Sequence, residues 1–359
     1  DLGLHPFIMQ IRSLEDHTLL PGAEAGDIGR KMGWNNYDNG YLRLSGVRIP
    51  RDQMLMKYAK LDRNGVYTKP PHAKIAYGTM IYVRAGMVDD AYRGLSKAVT
   101  IAVRYSTVRR QGNGMGTAKK DEKTTAEWKV LDYGLQQASL LPLLAGSYAL
   151  KFASHYMLDL YAQLQASLKK GDFSDLAEVH ATSSGLKAFS TLLTVNGAEE
   201  ARRRCGGHGF LRSSSLPDIV AIVTPSLTYE GEFQPMIQQT ARYLFRALHL
   251  LKTKGTPASG NADYLNLVPT LGQECLVLRD ATDLLNPDIQ LQLYRHKAAR
   301  LVENASQRMA AELKSGKSWA QAWNWIQPDF ISLVKAHVYL IFLKGFNHAV
   351  DKATAQGMN

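Results

Sequence analysis

Cysteines are scarce in this 359-residue sequence, which has only Cys205 and Cys275 and no CxxC pair. Two cysteines are too few for a disulfide framework, and their spacing matches no zinc site. The histidines form no HExxH-type pattern for a metal ion. The composition therefore indicates a reducing interior compartment and predicts no resident metal.

Long hydrophobic runs are absent as well. The most apolar stretches, such as 338–342, are far shorter than the roughly 20 residues that span a bilayer. We therefore expect no insertion into a membrane. The sequence opens at Asp1 without a signal-peptide leader and ends with Gly357, Met358 and Asn359 rather than Ser-Lys-Leu. Both ends are expected to be cuts through a longer protein.

Positive charge dominates, because 43 lysines and arginines stand against 32 aspartates and glutamates, for a formal net charge of +11. Such an excess attracts polyanions, either nucleic acid or a phosphate-rich small molecule. The basic residues form only small clusters, at 109–110, 119–120 and 202–204, with no dense tail or aromatic-interleaved stripe. This scatter argues against nucleic acid as the partner.

Residues 1–66 have the composition of strands and turns. Leu42, Leu44, Val47 and Ile49 alternate with polar positions as in a half-buried strand pair. Turn-forming residues punctuate the stretch at 21–22, 26–27, 38–40 and 50.

A helical pattern begins at Ala73, where apolar residues recur at spacings of three and four. Three more helices are predicted over about 126–169, 175–204 and 233–254. Pro142 is expected to bend or divide the second of these four helices.

The stretch 255–262 is rich in Gly, Ser, Thr and Pro and is typical of a linker. Beyond it, Asn286-Pro287 and Gln327-Pro328 each precede a further helical pattern. The chain is therefore predicted to be mainly α, with a strand-rich part, a four-helix unit, a linker and a second helical unit.

A glycine-rich motif, Cys205-Gly206-Gly207-His208-Gly209-Phe210, follows the third predicted helix. Glycines just past a helix leave backbone N–H groups free to approach phosphate or a planar ring closely. The spacing alone favours a simpler interpretation, a helix C-cap followed by a turn. His208 has no Ser or Cys arrangement nearby that would form a catalytic triad, and Cys205 is expected to be a small buried thiol.

A second motif, Tyr229-Glu230-Gly231-Glu232, precedes the apolar helix that begins near Phe233. A carboxylate held against apolar neighbours is a stronger base than one in water, because burial disfavours its charged form. The alternative is that Glu230 or Glu232 only caps the helix. From the residues alone, the cap is favoured for Glu232 and the role of Glu230 stays open.

Motifs along essentially the whole chain share their residues and their order with one known family. In chain order they are Gly26-Asp27-Ile28-Gly29, Asp38-Asn39-Gly40-Tyr41, Arg48-Ile49-Pro50-Arg51, Tyr77-Gly78-Thr79-Met80, Val108-Arg109-Arg110-Gln111, Glu178-Val179-His180-Ala181, Gly185-Leu186-Lys187-Ala188-Phe189, Cys205 to Phe210, Tyr229 to Glu232, Gln239-Thr240-Ala241-Arg242 and Arg295-His296-Lys297-Ala298. On these motifs the sequence resembles the peroxisomal acyl-CoA oxidases, relatives of the acyl-CoA dehydrogenases.

The resemblance implies a fold of three parts: the C-terminal part of a middle β-domain at 1–66, an acyl-CoA dehydrogenase-like four-helix bundle at 67–254, and a truncated second helical domain at 255–359. It also implies the reaction, in which Glu230 matches the family's base. The base removes the pro-R α-proton of a fatty acyl-CoA while hydride leaves the β-carbon for FAD, which gives trans-2-enoyl-CoA. Dioxygen is then reduced to hydrogen peroxide. A homodimer in the peroxisome is the expected context.

The other site residues are also carried over by resemblance. Arg109 matches an arginine that reaches FAD of the neighbouring subunit, although the residue alone fits a solvated charge at a helix end equally well. Gly206 and Gly207 match a loop that lies against the flavin nucleotide across the dimer. For Tyr77, a place in the core is an equally good interpretation. Glu232 and Gln234 are also predicted to contact FAD. The residues predicted to contact acyl-CoA are Lys74, Tyr77, Arg84, Tyr229 and Gly231.

The sequence also departs from the family. The family's N-terminal helical domain and the first half of its β-domain are not part of it, including the Thr and Gly that hold the flavin ring. These residues alone are therefore not expected to bind FAD normally. Gln111-Gly112-Asn113 lacks the aromatic residue of dehydrogenases, which favours an oxidase. Glu232-Phe233-Gln234 differs from the Glu-Asn-Thr common in oxidases.

Two alternatives to an oxidase are open. One is an acyl-CoA dehydrogenase that passes its electrons to a protein acceptor, and the extended helical unit after Gly255 argues against it. The other is a non-catalytic fragment that acts as a structural or regulatory partner. The intact Tyr229-Glu230-Gly231 argues against this second alternative.

Overall fold

The computed structural model describes residues 2–71, 78–112, 127–273 and 278–357. The chain divides into two compact units, Asp1–Met80 and Ile81–Asn359. Lys74 and Tyr77, which are predicted to contact acyl-CoA, lie outside the described residues, so these two contacts stay predictions.

The first unit contains two short antiparallel ribbons. Strand β1 (Ala23–Asp27) pairs with β2 (Gly40–Leu44), and β3 (Lys60–Leu61) pairs with β4 (Tyr67–Thr68). The sequence predicted a half-buried strand pair around Leu42 and Leu44. This prediction was wrong for β2, because every residue of β2 is exposed. A two-stranded ribbon has no second layer of its own to cover either face.

Helices make up most of the second unit, which agrees with the predicted, mainly α fold class. The α-helices are α1 (Gly78–Val108), α2 (Gly134–Lys169), α3 (Leu176–Arg203), α4 (Leu216–Val223), α5 (Phe233–Lys254), α6 (Pro287–Lys314), α7 (Trp319–Trp325) and α8 (Gln327–Ala355). Short 3-10 helices lie between them at Val130–Asp132, Gly206–Gly209, Arg212–Ser214, Thr224–Leu227, Gly260–Thr270 and Ala281–Leu285. Among the described helices, none is by itself long and apolar enough to cross a membrane, and α7 and α8, bent by 63°, reach that threshold only together.

Helix α3 forms the centre of this unit, since 18 of its 28 residues are buried. It packs against α2, α4, α5 and α8. A Cβ on Gly185 would lie 2.9 Å from Thr240 Oγ1 in α5 and 3.0 Å from Val338 Cγ2 in α8, so the glycine permits a close approach. The Thr240 hydroxyl donates to the Ala181 carbonyl at 2.8 Å. Helix α3 is therefore held from several sides and can fix the positions of its own side chains.

Of the two effects expected of Pro142, a bend or a division of the second helix, the division was wrong. Helix α2 runs unbroken for 36 residues through Pro142. Proline removes one backbone hydrogen bond, but Leu140, Leu150 and Met157 bury one face of the helix on both sides of it. This burial outweighs the single lost bond.

The stretch 255–262, predicted to be a linker, is anchored at its C-terminal end. Gly255 ends α5 with φ 62°, but Asn261 and Ala262 are buried. The Asn261 N–H donates to the Glu178 carboxylate at 2.7 Å. Composition could not reveal this anchor, because the acceptor lies 83 residues earlier in the chain.

Helix α8 packs against α2, α3 and α5 as well as against α6. The residues after 254 therefore belong to the same compact unit as the helices before them. The predicted division of the chain into 1–66, 67–254 and 255–359 stays a prediction.

A buried polar cluster joins α8 to the segment before α6. Tyr264 and His337 are buried, and the Tyr264 hydroxyl lies 3.2 Å from His337 Nδ1. Asp263 pairs with Arg295 at 2.8 Å and with Lys344 at 3.2 Å. Burial lowers the pKa of His337 to about 3, and the positive charge of Lys344 contributes in the same direction. His337 is therefore neutral in the folded chain at neutral pH.

We predict that the chain loses stability as the pH falls from 6.5 towards 3, because the unfolded chain binds a proton on His337 that the folded chain does not. This group alone should lower the free energy of unfolding by up to about 1.4 kcal/mol per pH unit. His337→Asn should flatten that slope in chemical denaturation at several pH values. His348→Asn, which changes an exposed histidine, should leave the slope unchanged. An unaltered slope in His337→Asn would contradict the assignment.

Candidate active site

The motif around Glu230 forms a tight turn between α4 and α5. At the start of the turn, the Tyr229 N–H donates to the Pro225 carbonyl at 3.2 Å. The chain then reverses through two left-handed residues, Glu230 with φ 56° and Gly231 with φ 116°. Helix α5 begins directly afterwards, at Phe233. We name residues 227–231 the Glu230 loop.

The backbone of this loop is unfavourable for a residue with a side chain. A left-handed conformation costs an L-residue such as Glu230 roughly 1–2 kcal/mol, because its Cβ crowds the following carbonyl. Gly231 avoids this cost, and a Cβ at Gly231 would also lie 2.6 Å from Met236 Sδ. The conformation of Glu230 must therefore be held by contacts from outside the loop.

Two buried cations supply these contacts. Arg84 in α1 donates from Nε to the Glu230 carbonyl at 3.1 Å. Lys187 in α3 donates from Nζ to the Leu227 carbonyl at 3.3 Å and also to the Gly231 carbonyl. Arg84 is 5% exposed and Lys187 has no exposed surface. Side chains from two helices thus bind three carbonyls of the Glu230 loop.

The sequence alone indicates no role for Lys187. Burial, together with the charge of Arg84, lowers the pKa of its ammonium to about 8, whereas the charges of Glu232 and Glu230 oppose the change. Lys187 is therefore still mainly a cation at neutral pH. The available signal was its position inside the run 179–191, where small and apolar residues predominate and a solvated lysine is not expected.

One oxygen of the Glu230 carboxylate has no hydrogen-bond donor among the described residues. That oxygen, Oε2, also has no solvent-accessible surface. Glu199 and Glu200, in contrast, each pair with an arginine. A buried acceptor without a partner costs roughly 1–3 kcal/mol, and such a group in a folded protein needs an explanation, of which a catalytic role is one. This oxygen is available to take a proton from a ligand.

Tyr229 precedes Glu230 in the loop, and its phenol is influenced by the charge of that carboxylate. Burial raises the pKa of its phenol, and the negative charges of Asp90 and Glu230 raise it further. Asp90 lies in α1, and its own pKa is raised by burial and by the charge of Asp89. Asp90 was not identified from the sequence, since its position near Tyr229 depends on the packing of α1.

Glu232 caps helix α5. Its Oε2 atom accepts the Gln234 N–H at 2.7 Å. The cap interpretation, which the residues alone favoured, is confirmed. Glu232 and Gln234 are both exposed, and their contacts to FAD stay predictions.

The glycine-rich motif forms the 3-10 helix Gly206–Gly209 just after α3. Gly206 has φ 56°, and no atom lies within 4 Å of a Cβ built on Gly206 or Gly207. Gly209 has a different reason to be glycine, because its Cβ would lie 1.9 Å from the Arg202 carbonyl oxygen. Cys205 is buried, and burial raises its pKa to about 11, which confirms the expected buried thiol.

Arg109 follows the last turn of α1 and is exposed. Its Nη2 lies 3.5 Å from Gln111 Oε1, and no described carboxylate pairs with it. Its backbone carbonyl accepts the Val130 N–H at 2.8 Å, which fixes the main chain at this point. The main chain at Arg109 is therefore fixed, and its guanidinium is accessible.

The predicted site residues fall into two groups. Arg84, Tyr229 and Glu230 lie together with Gly231, Glu232 and Gln234. Arg109 is 25 residues from Arg84, or about 37 Å along an α-helix. The glycine-rich loop is close to the Arg109 end, since the His208 ring lies 5.4 Å from the ring of Tyr105 in α1.

The chain is similar to known acyl-CoA oxidases. It is 40% identical to peroxisomal acyl-coenzyme A oxidase 1 of Phascolarctos cinereus and 41% identical to that of Homo sapiens, in each case over 98% of this chain and 52% of the relative. The structure of Arabidopsis thaliana acyl-CoA oxidase 1 matches with a TM-score of 0.88 and 38% identity, over 97% of this chain and 52% of that one. Acyl-CoA oxidase-2 of Caenorhabditis elegans, bound with FAD, ascaroside-CoA and ATP, matches with a TM-score of 0.87 and 36% identity, over 97% of this chain and 50% of that one.

The chain thus spans about half the length of the curated relatives it matches. Two family models match separate parts of it. The acyl-CoA oxidase C-alpha1 domain matches residues 77–245, and the acyl-CoA oxidase model matches residues 286–359. This chain belongs to the acyl-CoA oxidase family.

Proposed function

We propose that the intact protein is an FAD-dependent oxidase that converts acyl-CoA to trans-2-enoyl-CoA and reduces dioxygen to hydrogen peroxide. This is the first step of peroxisomal fatty acid β-oxidation. The observation that carries the proposal is the Glu230 carboxylate, whose buried Oε2 has no donor among the described residues. Membership of the family supports the substrate class, and the names of the relatives support the peroxisome.

Glu230 acts as the base in this proposal and removes the pro-R proton from the α-carbon. The α-proton of a thioester is only weakly acidic, so negative charge develops on the carbonyl oxygen and needs a hydrogen-bond donor. The backbone N–H of Glu230 can serve, because no described residue accepts a hydrogen bond from it. One residue then supplies both the proton acceptor and the donor to the oxyanion.

The residues proposed to hold FAD fit a phosphate-bearing cofactor. Gly206 and Gly207 are exposed and have open space at their Cβ positions, so a ligand can approach their backbone closely. The exposed Arg109 carries a planar fork of donors that suits a pyrophosphate. Glu232 and Gln234 are proposed as further contacts at the start of α5. When bound, FAD accepts the hydride of the β-carbon and transfers electrons to dioxygen.

Tyr229 and Gly231 flank the base on the acyl-CoA side. Arg84 donates to the Glu230 carbonyl, and together with Lys74 and Tyr77 it is proposed to line the acyl-CoA channel. The position of Arg84 supports this role, because it lies in contact with the residue that meets the α-carbon.

A homodimer is proposed for the intact protein. Arg109 lies about 37 Å along α1 from Arg84, and the glycine-rich loop lies near Arg109. This separation supports a site in which the two groups of residues serve FAD molecules of different subunits. The three-part division into 1–66, 67–254 and 255–359 belongs to the same proposal.

Glu230→Gln should abolish turnover in the intact, FAD-loaded protein and leave the flavin bound. The amide has the shape of the carboxylate but cannot take the α-proton. The rate should fall by at least about 10²-fold, as expected for a general base, whereas a helix cap contributes only about 1 kcal/mol. Peroxide formation from acyl-CoA measures the rate, and the flavin absorbance spectrum measures cofactor binding.

Glu178→Gln is the matched control. Glu178 is another partly buried carboxylate. Burial raises the pKa of Glu178, and its carboxylate accepts a hydrogen bond from the Asn261 N–H, outside the Glu230 loop. This variant should keep near-normal turnover. Near-normal turnover in Glu230→Gln would reject Glu230 as the base.

The electron acceptor separates an oxidase from a dehydrogenase. In air and without any added acceptor, the intact protein should form peroxide and enoyl-CoA in equal amounts. If enoyl-CoA forms only after an artificial electron acceptor is added, the protein is a dehydrogenase instead. Absence of flavin from the intact protein would favour a non-catalytic partner.

A further inference from the structure

We propose that Lys187 is a positioning residue for Glu230, and that its buried ammonium holds the Glu230 loop in the conformation that aims the carboxylate at the α-carbon. The inference rests on the proposed function and deepens it. Lys187 touches neither the reacting carbon nor the carboxylate by hydrogen bond, so it acts through the backbone of the loop.

The bonds of Lys187 bracket the base. Its Nζ donates to the Leu227 carbonyl before Glu230 at 3.3 Å and to the Gly231 carbonyl after it. Arg84 binds the carbonyl of Glu230 itself, between these two, at 3.1 Å. The peptide planes at both ends of the loop are thereby fixed, and the rotations about the Glu230 backbone are restricted to the left-handed region.

A packing role alone does not explain why a lysine occupies position 187, because its charged group is buried. The side chain has no exposed surface, and no described carboxylate forms an ion pair with it. A buried cation without a carboxylate partner is destabilising, and an apolar side chain of similar length would avoid that cost. The ammonium is therefore explained by the carbonyls that it binds, and these belong to the loop of the base.

If Lys187 positions Glu230, its loss should change the rate of the chemical step. A displacement of about 1 Å between reacting groups can slow a reaction about 10²-fold. Binding of acyl-CoA involves many contacts far from the α-carbon, so it should change little. A purely structural lysine would instead change folding stability or flavin content and leave the rate of the folded holoenzyme unaltered.

The test uses the intact holoenzyme with Lys187→Met, which keeps an unbranched apolar side chain and removes the donors. Anaerobic stopped-flow measures flavin reduction by acyl-CoA, and titration with enoyl-CoA measures ligand binding. We expect flavin reduction to slow by about 10- to 100-fold, with normal flavin content and nearly unchanged enoyl-CoA binding. The kinetic isotope effect with α-deuterated acyl-CoA should increase, because proton removal becomes more strongly rate-limiting.

Thr240→Val is the matched control. This variant removes another buried hydrogen bond, which Thr240 Oγ1 in α5 donates to the Ala181 carbonyl in α3. It leaves the hydrogen bonds of the Glu230 loop in place. This variant should lose stability but reduce its flavin at the wild-type rate. Equal slowing in Thr240→Val and Lys187→Met would overturn the inference, because it would assign the effect to helix packing.

Lys187→Gln covers the case in which Lys187→Met does not fold. Its shorter side chain keeps a neutral N–H donor but loses the charge. A tenfold or larger loss of flavin reduction in this folded variant supports positioning, and a smaller loss overturns it. If the wild-type holoenzyme reduces no flavin with any acyl-CoA, the proposed function fails rather than this inference alone.

Discussion

The candidate site depends on the hydrogen bonds that two buried cations donate to main-chain carbonyls. Arg84 and Lys187 come from two helices, α1 and α3, and meet at one short loop. Each charge-assisted hydrogen bond contributes roughly 1.5–3 kcal/mol. These bonds act against the roughly 1–2 kcal/mol cost of a left-handed glutamate. The turn at Glu230 is therefore stable even though its backbone is unfavourable.

Helix α3 connects this loop to the rest of the molecule. Close contacts at Gly185 and the Thr240 hydrogen bond hold its middle against α5 and α8. At the α1 side, a Cβ on Gly94 would lie 3.3 Å from Thr194 Cγ2, and the Thr194 hydroxyl donates to the Ala91 carbonyl of α1 at 2.8 Å. Lys187 lies between these fixed points. The same helix ends at the glycine-rich loop, so its rigidity relates the two groups of site residues.

Local features of the fold could be predicted from the sequence. Helix α5 begins at Phe233 and ends at Lys254 as expected, because Glu232 and Gly255 are capping residues with local signals. The buried thiol of Cys205 was also predictable. In contrast, the anchor at Asn261 and the continuity of α2 through Pro142 depend on partners distant in the chain. Hydrophobic periodicity does not encode such partners.

The candidate site shows the same division. Glu230 could be found because the resemblance to a family matched its motif, whereas the residues alone left it open between base and cap. Lys187 and Asp90 could not be assigned, since their roles follow from which loop each helix faces. A charge inside a buried helical run is a usable signal, but it indicates only that some partner exists. The identity of the partner requires the packed structure.

A crystal structure of the intact holoenzyme with an acyl-CoA analogue that cannot be oxidised would test the central claim most directly. The account predicts that a Glu230 carboxylate oxygen lies about 3–3.5 Å from the α-carbon, with the carbonyls of the Glu230 loop still bound to Arg84 and Lys187. A carboxylate turned into solvent, or separated from the α-carbon by another side chain, would contradict it.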